Sequence, residues 1–110
     1  MILYRLYQTG EQTQTQLANS LSMAKPPLGK TLEKLEEESW ITRRQNPQDR
    51  RENLVNLTGK VAPLVEPLTK IVAGIDEVGM STLQPLDQVA LKRLLLEVRK
   101  NLLHALEEDI

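Results

Sequence analysis

The feature that most constrains the fold is an amphipathic segment that begins with two prolines. Pro26 and Pro27 are compatible with a helix start, because proline is tolerated in the first turn, where its missing N–H would have no helical partner. Leu28, Leu32 and Leu35 follow at spacings of four and three residues, which place them on one face of a helix. The segment therefore predicts an amphipathic helix that packs its leucine face against a core.

A shorter helix is predicted just before this segment. Thr13 is the expected N-cap of a helix over Gln14 to Leu21, and Gln16 has the spacing that completes a capping box. Ser22 and Met23 then form the turn that leads into the longer helix. Two helices joined by so short a turn are typical of a helix-turn-helix unit.

A charged hairpin is predicted after the longer helix. Residues 40–42 and 53–57 are rich in strand-forming side chains, and Asn46-Pro47 initiates a turn between them. From Thr42 to Lys60 there are five basic and two acidic residues, a local charge of plus three in a chain whose total is minus one. A basic hairpin after a helix-turn-helix is typical of a winged helix, with the wing at residues 41–58.

These segments together resemble the MarR family of winged helix-turn-helix regulators, and most nearly its SlyA branch. The resemblance is carried by the runs QLANSL, KPPLGKTLEKLEEESWITRR and NPQDRRENLVNLT, of which the DRR wing signature is the most diagnostic. It implies a mainly α fold with a small β-hairpin wing, in which long C-terminal dimerisation helices follow the DNA-binding domain. Family members usually carry a further helix before the position of Met1, so we expect that helix to be missing here.

The C-terminal half predicts two long helices. Thr58 is expected to cap a helix that runs from Gly59 to about Gly79, and a last helix is expected to run from Pro85 or Leu86 to about Glu107. The apolar stripe of the last helix is too wide for one neighbouring element of a small chain to cover, which indicates an association surface.

In the resembling family, the terminal helices of two subunits interlock into a two-fold dimer. We therefore expect residues 1–58 to form a DNA-binding lobe and residues 59–110 to form a helical dimerisation region within one compact chain. The residues expected to form the homodimer contact are Leu83, Leu86, Leu91, Leu95, Val98, Leu102 and Leu106.

Composition narrows the class of protein further. The chain has 110 residues, a length that favours one domain, and it has no cysteine, which excludes disulfides, thiolate metal sites and thiol-based sensing. No apolar run approaches the roughly 20 residues of a membrane span, and the start is too short and polar for a signal peptide. We therefore expect a cytoplasmic protein without a membrane partner. Residues 61–110 carry five basic and eight acidic side chains, so the acidity lies away from the predicted wing.

The resemblance implies a sequence-specific transcription regulator, a repressor, that binds a near-palindromic operator in double-stranded DNA as a homodimer. The helix that starts near Lys25 would lie in the major groove. By resemblance, Arg50 would enter the minor groove, and Asp49 would hold its guanidinium in a bidentate pair. The expected DNA contacts are Gln14, Thr15, Lys25, Pro26, Pro27, Gly29, Lys30, Arg43, Arg44, Asp49, Arg50 and Arg51.

Proteins of this kind often lose DNA affinity when a small aromatic carboxylate or phenol binds between the DNA-binding lobe and the dimer region. Tyr4, Tyr7 and Trp40 are the candidate lining of such an effector site. A simpler interpretation of Trp40 is a core residue beneath the wing.

Two function classes other than DNA binding are alternatives for this sequence. The acidic total charge and the missing first helix also fit a winged-helix protein-interaction module that does not bind DNA. An enzyme is not expected, because the only histidine, His104, lies among leucines, and there is no Gly-rich phosphate loop or metal cluster. No cofactor or metal is expected for the same reason.

Overall fold

The chain folds into a mainly helical structure with one small antiparallel sheet, as the sequence predicted. The computed structural model describes residues 1–75 and 78–108. The elements are α1 (Ile2–Thr9), β1 (Gln12–Thr13), α2 (Gln14–Leu21), α3 (Lys25–Glu37), β2 (Ile41–Asn46), β3 (Asp49–Leu57), α4 (Ala62–Gly74) and α5 (Pro85–Glu108). The three strands are arranged in the order β1-β3-β2.

The helix-turn-helix follows the predicted boundaries closely. Thr13 and Gln16 form the capping box, in which the hydroxyl of Thr13 accepts from the Gln16 N–H and the Gln16 side chain accepts from the Thr13 N–H, both at 3.0 Å. Ser22 ends α2 in the left-handed region at φ 53°. Ala24 precedes α3 without a side-chain cap, so the two prolines of the first turn define its start.

The strands of the wing are longer than the sequence predicted. β2 and β3 pair in one register from Ile41 opposite Leu57 to Gln45 opposite Asn53. The register then shifts, so that Asn46 lies opposite Asp49 and the turn consists of only Pro47 and Gln48. The sequence predicted strands only at residues 40–42 and 53–57, so the strand residues at 43–46 and 49–52 were not predicted, whereas the turn at Asn46-Pro47 was. These strand segments carry polar and charged side chains, so they have no alternating apolar pattern that would predict a strand. Backbone pairing continues there because it does not require an apolar face.

A short third strand completes the sheet and was not predicted. In β1, Gln12 pairs with Val55 and Thr13 pairs with Leu54. Two polar residues carry no periodic signal, so this strand could not be predicted from its own residues. The pairing places the N-terminus of α2 directly beside β3, and thus beside the wing.

One apolar core supports both the helix-turn-helix and the wing. It draws residues from the N-terminal and the C-terminal halves of the chain, because α1 packs on α5 as well as on α2 and β3. The wing is therefore attached to the same core as α3. The buried core residues are Ile2, Leu3, Leu6, Leu17, Ala18, Leu28, Leu32, Leu35, Ile41, Val55, Val61, Val65 and Leu103.

Helix α4 is shorter than predicted, whereas α5 has the predicted extent. The predicted start at Gly59 and cap at Thr58 were wrong, because Val61 is the N-cap of α4. The Thr58 hydroxyl instead donates to the Ser39 carbonyl at 2.6 Å and accepts from the Lys60 N–H at 3.3 Å in the turn before the helix. Helix α4 ends at Gly74, consistent with the low helix propensity of glycine. The rest of the predicted helix includes residues 76 and 77, which lie outside the described residues.

Helices α4 and α5 expose apolar side chains that no other part of the described chain covers. Leu64 and Ile71 are exposed on α4, and Leu86 on α5 is 83% exposed. Within residues 1–75 and 78–108, no helix has the length and apolarity to cross a membrane. Of the residues expected at a dimer contact, Leu86, Val98 and Leu102 are exposed, while Leu83, Leu91, Leu95 and Leu106 are half-buried.

Candidate nucleic-acid interface

The N-terminal part of α3 presents lysine and proline side chains to solvent. Lys25, Pro26, Pro27 and Lys30 are exposed, because the leucine face of the helix is turned into the core. Gly29 is half-buried, yet a Cβ atom built on it would meet no other atom within 4 Å. Packing therefore does not require glycine at this position, and the surface is available for a flat partner.

The wing tip, residues 46–51, holds two exposed arginines with different surroundings. Arg51 is 91% exposed, and its Nε donates to Oδ1 of Asp49 at 3.2 Å. Arg50 is exposed, and its side chain has no hydrogen bond or ion pair within residues 1–75 and 78–108. Of all the cations expected to bind DNA, only Arg50 and Lys30 lack a partner in the described part of the chain.

The expected pairing of Asp49 with Arg50 is corrected by the structure. Asp49 accepts from both the backbone N–H and the guanidinium of Arg51, at 3.1 and 3.2 Å. Asp49 lies on β3 where the register against β2 shifts, and there the N–H and the guanidinium of Arg51, not the side chain of Arg50, reach its carboxylate. The side-chain hydrogen bond from Arg51 lowers the pKa of Asp49.

The wing base, residues 41–44 with 54–57, holds an arginine that is largely buried and hydrogen-bonded. The Arg43 side chain is 22% exposed, and its Nη2 and Nε donate to Glu36 of α3 at 3.1 and 3.3 Å. The Arg43 N–H also donates to Glu36, and Nη1 donates to Gln14 of α2. Arg43 thus joins β2 to both helices of the helix-turn-helix.

Arg44 is paired more loosely than its neighbour. Its Nη2 lies 3.2 Å from Glu11, and the pair is exposed to solvent. Glu11 also accepts from the side-chain amide of Asn56 on β3. Such an exposed ion pair contributes little to stability, so a phosphate could replace the carboxylate as the partner of Arg44.

The two residues expected to bind DNA from α2 are both engaged by the wing. Gln14 accepts from Asn53 at 3.1 Å. Thr15 donates its N–H and its hydroxyl to the carboxylate of Glu52, which also lies 3.8 Å from Lys25 Nζ. The pKa of Glu52 is lowered, and the main cause is the hydrogen bond from the Thr15 hydroxyl.

The sequence analysis missed the acids that hold these cations. Three of them are Glu11, Glu36 and Glu52, each in contact with a residue that was expected to touch DNA. Two of these contacts join residues distant in sequence, 37 residues apart for Thr15 and Glu52 and 33 for Arg44 and Glu11, so no local pattern could have shown them. Glu36 and Arg43 are only 7 residues apart, but their contact depends on how the chain turns from α3 into β2.

The aromatic residues expected at an effector site lie in two different surroundings. On α1, the Tyr7 hydroxyl lies 3.0 Å from the Thr69 hydroxyl of α4, and the Tyr4 ring meets His104 edge to face. Trp40 instead packs at the wing base, where Lys60 Nζ lies 4.1 Å from the ring centroid. Trp40 is partly buried against the core, as the simpler interpretation of this residue had it.

The comparisons with known proteins agree with this winged-helix geometry. A protein-family model matches residues 1–53, slightly less than half of the chain. The match is to the MarR family. The matched segment contains α1, the helix-turn-helix and the wing tip, where the residues of the candidate interface lie.

Solved structures, MarR itself among them, share this fold over most of the chain. The structure of S. aureus MepR in complex with DNA is 29% identical, covers 92% of this chain and 75% of its own, and has a TM-score of 0.54. A probable transcriptional regulator from Pseudomonas aeruginosa is 28% identical, with 88% and 73% covered and a TM-score of 0.54. Wild-type MarR from E. coli is 26% identical, with 88% and 72% covered and a TM-score of 0.56.

These similarities support a DNA-binding transcription regulator. The members of the MarR family are transcription regulators and not enzymes, in agreement with the expectation that this chain is not an enzyme.

Proposed function

We propose that this chain is a regulator of the MarR family, of the SlyA-like branch, that represses transcription in the cytoplasm by binding an operator as a homodimer. The observation that carries this proposal is the position of two exposed cationic elements on one core. The N-terminal face of α3 and the tip of the wing are both exposed, and the buried leucines of α3 pack in the same cluster as Ile41 and Val55 of the wing. A rigid pair of this kind suits simultaneous contact with two grooves of a duplex.

In this proposal, α3 contacts the major groove. Lys25 and Lys30 reach bases or phosphates, while Pro26, Pro27 and Gly29 let the helix approach the base edges closely. The absence of any atom near a Cβ built on Gly29 supports this role, because the glycine has no packing function in the chain.

The wing supplies the second contact. Arg50 enters the minor groove, where the narrow form of A-tracts attracts a guanidinium. Arg44 and Arg51 lie along phosphates and exchange Glu11 and Asp49 for the DNA backbone. Arg43 is mainly a positioning residue, since its partners Glu36 and Gln14 belong to the chain itself.

The apolar faces of α4 and α5 support a homodimer. Leu86, Val98 and Leu102 are exposed on α5, and a second copy is the partner that would cover them in a two-fold arrangement. We propose residues 59–110 as the dimerisation region and residues 1–58 as the DNA-binding lobe, with α1 joining the two through its packing on α5. The two-fold axis would place half-sites about one helical turn apart.

We further propose that a small aromatic effector weakens DNA binding. Tyr4 and Tyr7 are better placed for this role than Trp40, because both tyrosines lie where α1 meets the C-terminal helices. The effector would act through different affinities for two spacings of the DNA-binding lobes.

Selection of bound duplexes from a random pool tests this function most completely. We expect a near-palindromic sequence whose half-sites are about 10 base pairs apart, and an affinity that falls steeply as salt rises. Four of the six cations at the interface are already paired with the chain's own acids, which favours a protein-interaction module as the second candidate. No salt-sensitive duplex binding would support that candidate.

Gly29→Ala separates a role in DNA contact from a role in folding. Alanine should raise helix stability by up to about 1 kcal/mol, since nothing obstructs its methyl group. The same methyl group should weaken duplex binding if α3 approaches base edges. Urea unfolding and duplex titration should thus change in opposite directions, and tighter or unchanged binding would argue against this placement of α3.

A further inference from the structure

Glu52 has a position that the proposed DNA contacts do not explain. It lies on β3 directly after the arginines of the wing tip, and its side chain is 22% exposed. Its carboxylate accepts from the N–H and the hydroxyl of Thr15, at the start of α2. It also lies 3.8 Å from the ammonium of Lys25, at the start of α3. One acid thus joins the first turns of both helices of the helix-turn-helix.

The groups that surround Glu52 are those that bind a phosphate. A backbone N–H in the first turn of a helix, a hydroxyl and an ammonium are frequent partners of DNA phosphates. Thr15 and Lys25 supply all three, and all three are directed to the Glu52 carboxylate. The carboxylate therefore engages the same groups that a phosphate at this part of the interface would need.

The two halves of the contact differ in strength. The Lys25 side chain is 63% exposed and its ammonium is at the outer limit of an ion pair, so it can turn to a phosphate at low cost. Thr15 is held by two hydrogen bonds and is half-buried. A phosphate that approaches must therefore displace Glu52 from Thr15 or accept a carboxylate beside it, and both are unfavourable.

We propose that Glu52 is an affinity-determining residue of the DNA interface, which competes with a backbone phosphate for Lys25 and Thr15. The inference rests on the proposed DNA binding and deepens it. Because Glu52 competes for these groups, the native chain binds duplex DNA more weakly, and with a weaker salt dependence, than the number of cations on this face would predict. The residue holds the N-termini of α2 and α3 in place in the free chain at the cost of affinity for the duplex.

Glu52→Gln is the variant that tests this role. The amide keeps the size of the side chain and an oxygen that can accept from Thr15, but it removes the charge. We expect duplex affinity to rise about threefold to tenfold at moderate salt, and the plot of log affinity against log salt to become steeper by about one counterion. Adding Lys25→Met to this variant should remove most of the gain.

The matched control is Glu66→Gln, which makes the same charge change at an exposed position on α4. It should alter duplex affinity less than about twofold, since Glu66 has no hydrogen bond or ion pair with the candidate interface within the described residues and an exposed charge is screened by salt. Urea midpoints of all variants check that each one is folded.

The outcomes separate this inference from the proposed function. If the native chain binds duplex and Glu52→Gln binds no more tightly, or more weakly, the competition is overturned and DNA binding stands. If only Glu52→Gln binds, the competition is supported and native DNA binding is overturned. If neither binds under low salt, both are overturned.

Discussion

The base and the tip of the wing carry the same residue type in opposite surroundings. At the base, Arg43 is mostly buried and bonds to Glu36 and Gln14 on the two helices of the helix-turn-helix. At the tip, Arg50 is exposed and its side chain has no partner within the described residues. This contrast shows that an arginine-rich hairpin is not a uniform cationic surface. Packing and partners divide it into residues that hold the wing and residues that are free to bind a polyanion.

The largest expected difference between the two regions concerns stability. Ile41→Ala at the base should lower the free energy of unfolding by about 2–5 kcal/mol, because the side chain is 1% exposed and truncation leaves a cavity. Gln48→Ala in the turn of the wing tip should change it by less than about 0.5 kcal/mol. Urea unfolding measures both, and a similar loss for the two variants would show that the tip is not independent of the core.

The second difference concerns DNA affinity. Arg50→Ala should weaken duplex binding by about 1–3 kcal/mol, through loss of the minor-groove contact, without lowering stability. Titration of a selected duplex with folded protein measures the loss, and Arg50→Lys serves as the control that keeps the charge. Native affinity in Arg50→Ala would mean that the wing tip does not touch DNA.

The third difference concerns the partners of Arg43. Arg43→Ala should destabilise the chain by about 1 kcal/mol, since it removes charge-assisted bonds that are partly exposed to solvent. Glu36→Gln should have a similar effect, and the double variant should lose less than the sum of the two. Additive losses in this double-mutant cycle would show that the pair contributes nothing to folding.

The smallest expected effect is the titration of Asp49 at the tip. The hydrogen bond from Arg51 lowers its pKa, so the pair stabilises the folded chain above the ordinary carboxyl pKa, and that contribution is lost as pH falls through the lowered value. NMR titration of the Asp49 carboxyl should give a pKa below 3.8, and Arg51→Ala should return it toward that value. A pKa of Asp49 that does not respond to Arg51→Ala would contradict the pairing seen at the tip.

Local signals predicted much of the fold. The capping box of Thr13 and Gln16 and the full extent of α5 follow from residues that are close in sequence, and such residues interact within one helix. The sequence did not predict strand β1 or the charged parts of β2 and β3. These segments have no alternating apolar pattern, and their pairing depends on a neighbouring strand.

The candidate site was predicted only as a set of cations. Their order along the chain indicated a basic wing, but it could not show that Arg44 meets Glu11, 33 residues away, or that Asp49 turns to Arg51. These contacts depend on which face of the sheet each side chain occupies. Arg50 and Arg51 lie where the register of β3 against β2 shifts, and neither this irregularity nor the lengths of the two strands was predicted.

The salt dependence of duplex binding, measured side by side for the native chain, Arg50→Ala and Arg43→Ala, tests the division of the wing most directly. The plot of log affinity against log salt should become shallower by about one counterion in Arg50→Ala and keep the native slope in Arg43→Ala. A native slope in Arg50→Ala together with a shallower one in Arg43→Ala would reverse the roles assigned to tip and base and contradict the account.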